Sequence, residues 1–257
     1  MNAPGTVVAP ASILDILQDY LRKALGEGVI TLVSTGAGNA RADSRANEQL
    51  IGNSLRAFAL GHPLFSQGGF TFDVTINGKW YDFLVKSADE SIWLPINLKV
   101  SSLRGNDNLS SKAGLFYALT GLRPQGGVIR NWDLFCQNVA ASVKKTDCSA
   151  DYYFLVVDKD ASVAPTERVF WTSLLQLQRV TPNGSNPPFQ CKWRENKVRA
   201  SRSRSVAVDH LLDVIGGTFV LRAKALDSFK QYVVPGFSGA LMTKWSDETP
   251  EVEGEAG

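Results

Sequence analysis

Three residues in the first half of the chain have types and spacing suited to chemistry: Asp82 in "KWYDFLVK", and Asn97 and Lys99 in "SIWLPINLKVSSLRG". The second stretch is an apolar, strand-like run, broken by two polar residues that the period of two places on one face. A strand that only packs has no use for an amide and an ammonium side by side. If the strand carrying Asp82 lies next to it, a carboxylate and an amide oxygen can together hold a hard divalent cation such as Mg²⁺. Lys99 can then orient an attacking water and stabilise charge developing on a phosphate, while the metal lowers the pKa of that water. Asp73 competes with Asp82 for the metal role, but Asp82 stands closer in sequence to the Asn-Leu-Lys element. Plain structural roles exist for the same groups: a surface carboxylate on an edge strand for Asp82, and a snorkelling side chain for Lys99.

The surrounding elements must bring these residues together. "SILDILQDYLRKAL" has helical spacing behind Ser12 as a cap, and "GVITLVST" has the composition of a short strand. "SRANEQLIGNSLRAFAL" predicts a second helix, with Ser44 as its cap and Asn47 and Glu48 in its opening turns. "FTFDVTI" and "KWYDFLVK" flank Asn77-Gly78, a strong signal for a tight hairpin. "IWLPINLKV" follows as a third strand, "LSSKAGLFYALTG" as a helix ending at Gly121, and "DYYFLVVD" as a buried fourth strand. The order from Ser44 is helix, three strands, helix, strand, which implies an α/β fold with a mixed sheet and helices on both faces. A last helix is expected from about Ala207 to Ile215, after a basic segment. One domain is expected over 1–245, with its core at about 44–158 and an elaboration at 165–245, followed by an acidic, disordered tail at 246–257.

Asp82 with Asn97-Leu98-Lys99, set on two neighbouring strands of an αβββαβ order, resembles the PD-(D/E)xK nuclease superfamily and within it the type II restriction endonucleases. "INLKVSSLRGNDNLSSKAGLFYALTG" and "PNGSNPPFQCKW" are similar to stretches of such enzymes as well. The resemblance implies a restriction-endonuclease-like core, Mg²⁺ as cofactor, Asp82 and Asn97 as metal ligands and Lys99 as the catalytic lysine. It also implies that Glu48, from the preceding helix, supports the metal. Two positions depart from the family pattern. Tyr81 stands where a proline usually precedes the aspartate, and Asn97 stands where a second acid is usual, which leaves the site one charge short.

Other residues are suited to holding DNA. Lys192, Arg194, Lys197, Arg199, Arg202 and Arg204 put six cations into thirteen residues with one acid, Glu195. With interleaved serines, that is the composition of a phosphate-contacting surface, or of a solvated loop. Upstream, Asn183, Ser185, Asn186 and Gln190 form an amide-rich turn, and amides can pair with adenine in the major groove. In the loop after the Lys99 strand, Asn108, Ser110, Ser111 and Lys112 are donors at a helix start, where anions are favoured. Asp107 and Ser110 serve equally as a capping pair.

Composition narrows the field further. The 257 residues, 44% hydrophobic, can supply a real core, and a net charge of +2 lacks the bulk signature of a histone-like nucleic-acid binder. Three widely spaced cysteines fit neither a disulfide framework nor a CxxC zinc site, and two histidines give little material for a His-based zinc centre. "TGAGNA" after a strand lacks the third glycine of a dinucleotide fingerprint. No apolar run approaches the roughly 20 residues that span a bilayer, so a soluble cytoplasmic protein without a membrane partner is expected. The expected function is sequence-specific cleavage of double-stranded DNA by a homodimer, alongside a cognate methyltransferase that is not a stable partner. The alternatives are a catalytically inactive DNA-binding module on the same fold and a structure-selective repair nuclease.

Overall fold

Six consecutive buried residues, Tyr153–Asp158, form the strand around which the rest is arranged. A strand buried on both faces is an unbroken apolar run, and here that run is covered by helices on either side. The computed structural model describes residues 8–34, 40–67, 69–75, 79–109, 111–124, 129, 131–185 and 188–232. Its helices are α1 (Pro10–Gly26), α2 (Ala40–Gly61), α3 (Pro63–Ser66), α4 (Lys112–Thr120), α5 (Trp132–Ser142), α6 (Pro165–Arg168) and α7 (Arg204–Tyr232). Its strands are β1 (Phe70–Val74), β2 (Phe83–Ser87), β3 (Trp93–Ser101), β4 (Asp107–Asn108), β5 (Tyr153–Asp158), β6 (Val169–Ser173), β7 (Thr181–Pro182) and β8 (Phe189–Cys191).

Five strands form one sheet in the order β1-β2-β3-β5-β6, and three short ones form another in the order β4-β8-β7. The large sheet is mixed: β3 and β5 run parallel, with Asn97 opposite Phe154 and Lys99 opposite Val156, and the other neighbours are antiparallel. Helices lie on both faces, as expected for the α/β class. The expected order from α2 to β5 is present, with α3 added between α2 and β1, and β4 and α5 added between β3 and β5.

Alternation along β3 divides the core. Leu94, Ile96 and Leu98 join Ile13, Leu17, Ile51 and Leu55 in the cluster under α1 and α2. Leu84, Phe154 and Val156 join Leu115, Phe135 and Leu211 in the cluster under α4, α5 and α7. Asn97 and Lys99 therefore lie on the α4 face, and Asp82, one residue before Phe83 of the first cluster, lies there too.

Several sequence expectations need correction. No strand forms at 29–34. Asn47, buried on α2, takes both backbone groups of Val33, accepting from its N–H at 2.7 Å and donating to its carbonyl at 2.9 Å, in place of a strand partner. Ser12 and Ser44 are not caps, because α1 starts at Pro10 behind Ala9 and α2 starts at Ala40. Asn77 and Gly78 lie outside the described residues, as do 1–7 and the acidic tail. Helix α4 does end at Gly121, whose φ of 75° is the left-handed cap conformation that glycine adopts without strain.

Helix α7 does not stop at Ile215 but runs on through Gly216 and Gly217 to Tyr232. A Cβ at Gly217 would sit 2.7 Å from Cγ of Pro182, so this glycine lets the helix pack directly on β7. Here glycine serves close approach, and packing offsets its helix penalty of about 1 kcal/mol. None of the three cysteines is bonded to another. Among the described residues no helix is long and apolar enough to cross a membrane.

Candidate active site

The ladder between β2 and β3 ends at Phe83 opposite Ile96. Asp82 stands just before β2, not inside it as the sequence predicts, yet its backbone continues both pairings. Its N–H donates to Ile96 O and its carbonyl accepts from Thr75 N–H, each at 2.9 Å. Its side chain then does what a longer strand would have done, with Oδ2 accepting the Leu98 N–H at 2.7 Å. The same oxygen accepts Nδ2 of Asn97, also at 2.7 Å. Asp82 and Asn97 thus meet across the point where two strands part, as their positions suggested.

Burial pushes the Asp82 carboxyl up to about 6, aided by the negative charge of Glu48 and opposed by the Leu98 N–H and the charge of Lys99. Glu48 reaches this edge from α2, on the other face of the sheet, and its Oε1 accepts Ser44 Oγ at 2.9 Å. Asp73 shares the face of Asp82 by alternation but stands on the outer strand, away from Asn97. It pairs with Leu84 across β1 and β2, and its charge acts on Lys86.

Asn97 is half-buried, and its Oδ1 is buried without a hydrogen-bond partner. The Tyr152 hydroxyl lies near enough to interact with Asn97, but it has one proton, which it donates to the Trp80 carbonyl at 2.6 Å. An orphaned acceptor beside a half-buried carboxylate with a raised pKa suits a cation, which would satisfy the first and neutralise the second. Among the described residues no three His, Cys, Asp or Glu side chains gather as a metal cluster. The available donors at this edge are two carboxylates, Asp82 and Glu48, and one amide, Asn97. Hard oxygen donors of this kind suit Mg²⁺.

Lys99 points its ammonium toward the second sheet, where Nζ donates to the backbone carbonyl of Asn108 at 3.0 Å. The side-chain Oδ1 of Asn108 in turn accepts from Asn183 Nδ2 and Gln190 Nε2, each at 3.2 Å. Two stretches 70 or more residues apart in sequence, each expected separately to meet DNA, are therefore one unit, built because β4 pairs with β8. Asn183 also accepts the N–H of Ser185 at 3.2 Å and its hydroxyl at 3.0 Å, which shapes the turn. Asn186 and Ser110 lie outside the described residues. Ser111, not Asp107 or Ser110, caps α4 through the Gly114 N–H at 3.4 Å, while Asp107 accepts the Trp193 indole N–H at 2.7 Å.

The six cations of the basic segment do not form one surface. Trp193 and Asn196 are buried in a 3-10 turn, and burying them turns the chain away from the hairpin. Lys192 and Arg194 are exposed and stay near the Lys99 loop, since the Arg194 N–H bonds Leu103 O at 3.4 Å; Lys192 is 3.8 Å from Glu195. Lys197 donates to Glu167 O at 3.2 Å, and the Arg199 guanidinium lies 3.7 Å from the Trp171 ring centroid, by α6 and β6. Arg202 is spent on the carbonyls of Leu175 and Leu177. Arg204 is spent on those of Lys144, Ala150 and Ala118, at 2.6–2.8 Å. The last two guanidiniums tie separate elements of the fold together.

One residue beside the hairpin went unnoticed in the sequence. Arg222 of α7 donates to Gly184 O at 3.1 Å and Ser185 O at 2.7 Å, and lies 4.9 Å from the Trp132 ring centroid. Lys112 lies 5.2 Å from the same ring, and burial together with the charge of Arg222 holds its pKa down. No local pattern marks Arg222, because it matters only once α7 continues past its glycine pair. In comparison with known proteins, no family model matches the chain, and no curated protein matches it.

Proposed function

We propose that this protein is a Mg²⁺-dependent endonuclease that cuts double-stranded DNA within a short sequence, as the type II restriction enzymes of the PD-(D/E)xK superfamily do. The observation that carries the proposal is the meeting of Asp82, Asn97 and Lys99 at one parted pair of strands, with Lys99 tied through Asn108 to an amide-rich hairpin. A hydrolytic centre is thereby adjacent to groups of the kind that read base edges.

Asp82, Asn97 and Glu48 would hold the cation, and Lys99 would set positive charge against the phosphate. When bound, Mg²⁺ supplies further charge against the phosphate and eases deprotonation of water. Lys192, Arg194 and Lys112 would meet the backbone, fixing register without reading sequence. Cutting both strands of a palindrome calls for two copies of the chain related by a two-fold axis.

Purified protein with Mg²⁺ and plasmid DNA is expected to give discrete fragments whose sequenced ends share one motif. Lys99→Ala is expected to lower the rate by about 10²–10³, the usual worth of one group that stabilises transition-state charge. No cutting of varied DNA with Mg²⁺ or Mn²⁺ rejects the proposal.

Asn97 also favours a second function, DNA binding without cleavage. Its Nδ2 satisfies Asp82 directly, so the pair is stable without a cation, whereas an acid there would face Asp82 with like charge. In that case Asp82→Ala leaves DNA affinity and biological function intact.

A further inference from the structure

We infer that Asn108 is a positioning residue that sets the place of the Lys99 ammonium according to whether the β7–β8 hairpin is engaged by DNA. The inference rests on the proposed function for what engages the hairpin, and on the hydrogen-bond chain for the link itself. Lys99 belongs to the five-stranded sheet and Asn108 to the three-stranded one, so their bond crosses from one to the other. Lys99 is close enough to Asp82 to favour its ionised form, yet its ammonium donates to the Asn108 carbonyl.

Asn108 is half of a two-residue strand and is exposed, so its own packing fixes it little. It is held from the β8 side, through its pairing with Gln190 and through the two amide donors on Oδ1. Those donors come from Asn183, which is buried, and Gln190, which is half-buried and whose amide an adenine edge would compete for with its paired donor and acceptor. A base that takes the Gln190 amide leaves Oδ1 with Asn183 alone, loosens β4 and releases the ammonium from its carbonyl toward the phosphate. A wrong base leaves both amides on Asn108 and Lys99 held away. Discrimination then appears in the rate of the chemical step and not only in binding.

The test compares cleavage of a duplex carrying the preferred site with duplexes changed at single base pairs. Asn108→Ala is expected to raise cutting of changed sites relative to the preferred one by about tenfold, the discrimination one amide pair supplies, with kcat carrying the change. Asn108→Asp keeps both acceptor positions and is expected to retain selectivity. A uniform loss across all duplexes, or an unchanged ratio, overturns the inference.

A second measurement needs no cleavage. In isotope-labelled protein the side-chain nitrogen resonance of Lys99, assigned by its absence in Lys99→Arg, is expected to move in Asn108→Ala and in Gln190→Ala but to stay in Asn108→Asp. A Lys99 resonance indifferent to Asn108→Ala and Gln190→Ala rejects the link even if the enzyme cuts DNA. If the wild type cuts nothing, the nuclease proposal fails while this resonance still decides the link.

Discussion

Asp82 carries two duties that pull against each other. Its Oδ2 completes the ladder at Leu98, which only a group held in place can do, and burial together with Glu48 raises its pKa to about 6. Since the folded state holds this proton more tightly than the unfolded chain, with a value near 3.9, stability falls as pH rises from about 4 to 6 and then levels. Asp82→Asn removes that loss. The variant is expected to be more stable than the wild type at pH 8 by about 1–2 kcal/mol, less than full linkage because the carboxylate is only half-buried, with the gap closing below about pH 4. Thermal unfolding across pH measures it. Asp151, also raised to about 6 by burial, contributes the same trend to both proteins and cancels in the comparison. Millimolar Mg²⁺ is expected to stabilise the wild type at pH 8 and not Asp82→Asn; equal stabilisation of both would place the cation elsewhere.

At the scale of elements, the basic segment separates into residues that build and residues that face outward. Arg204 ties the start of α7 to three carbonyls, so Arg204→Ala is expected to cost about 2–3 kcal/mol in chemical denaturation while leaving the salt dependence of DNA binding unchanged. Arg194→Ala is expected to do the reverse, with little change in stability and a salt slope smaller by about one. Arg222 acts on the hairpin from the second half of α7. Arg222→Ala is expected to speed amide exchange at 183–185 without loss of helix, because the Gly184 and Ser185 carbonyls lose their only charged partner among the described residues. Unchanged exchange there would mean that Asn183 shapes the turn unaided.

For the whole molecule, a net charge of +2 gives DNA little general attraction, so the proposed DNA affinity would have to come from a few placed cations and from the hairpin. Binding is therefore expected to weaken with salt according to a small number of phosphate contacts, not the slope of about −10 seen for a strongly basic contact surface. The homodimer proposed for double-strand cutting has a direct check in sedimentation, where two copies per duplex are expected together with cleavage of both strands in one encounter. A monomer that only nicks would leave the chemistry standing and remove the two-fold arrangement.

The sequence by itself determined the α/β class, the frame of helix, three strands, helix and strand between α2 and β5, and the pairing of Asp82 with Asn97, because these follow from local periodicity and from strands adjacent along the chain. It also marked the end of α4 at Gly121, where one residue's backbone freedom decides the matter. Tertiary structure decided what depends on distant partners. Residues 29–34 have strand composition, but Asn47 offered their backbone a side-chain partner first. The glycines at 216 and 217 promise a helix end, but Pro182 made one of them a contact point. Arg202 and Arg204 have the composition of a phosphate-binding surface, yet free carbonyls from other elements lay within reach. The tie from Lys99 to Asn183 and Gln190 was invisible along the chain, since it exists only because two short strands far apart in sequence pair with each other.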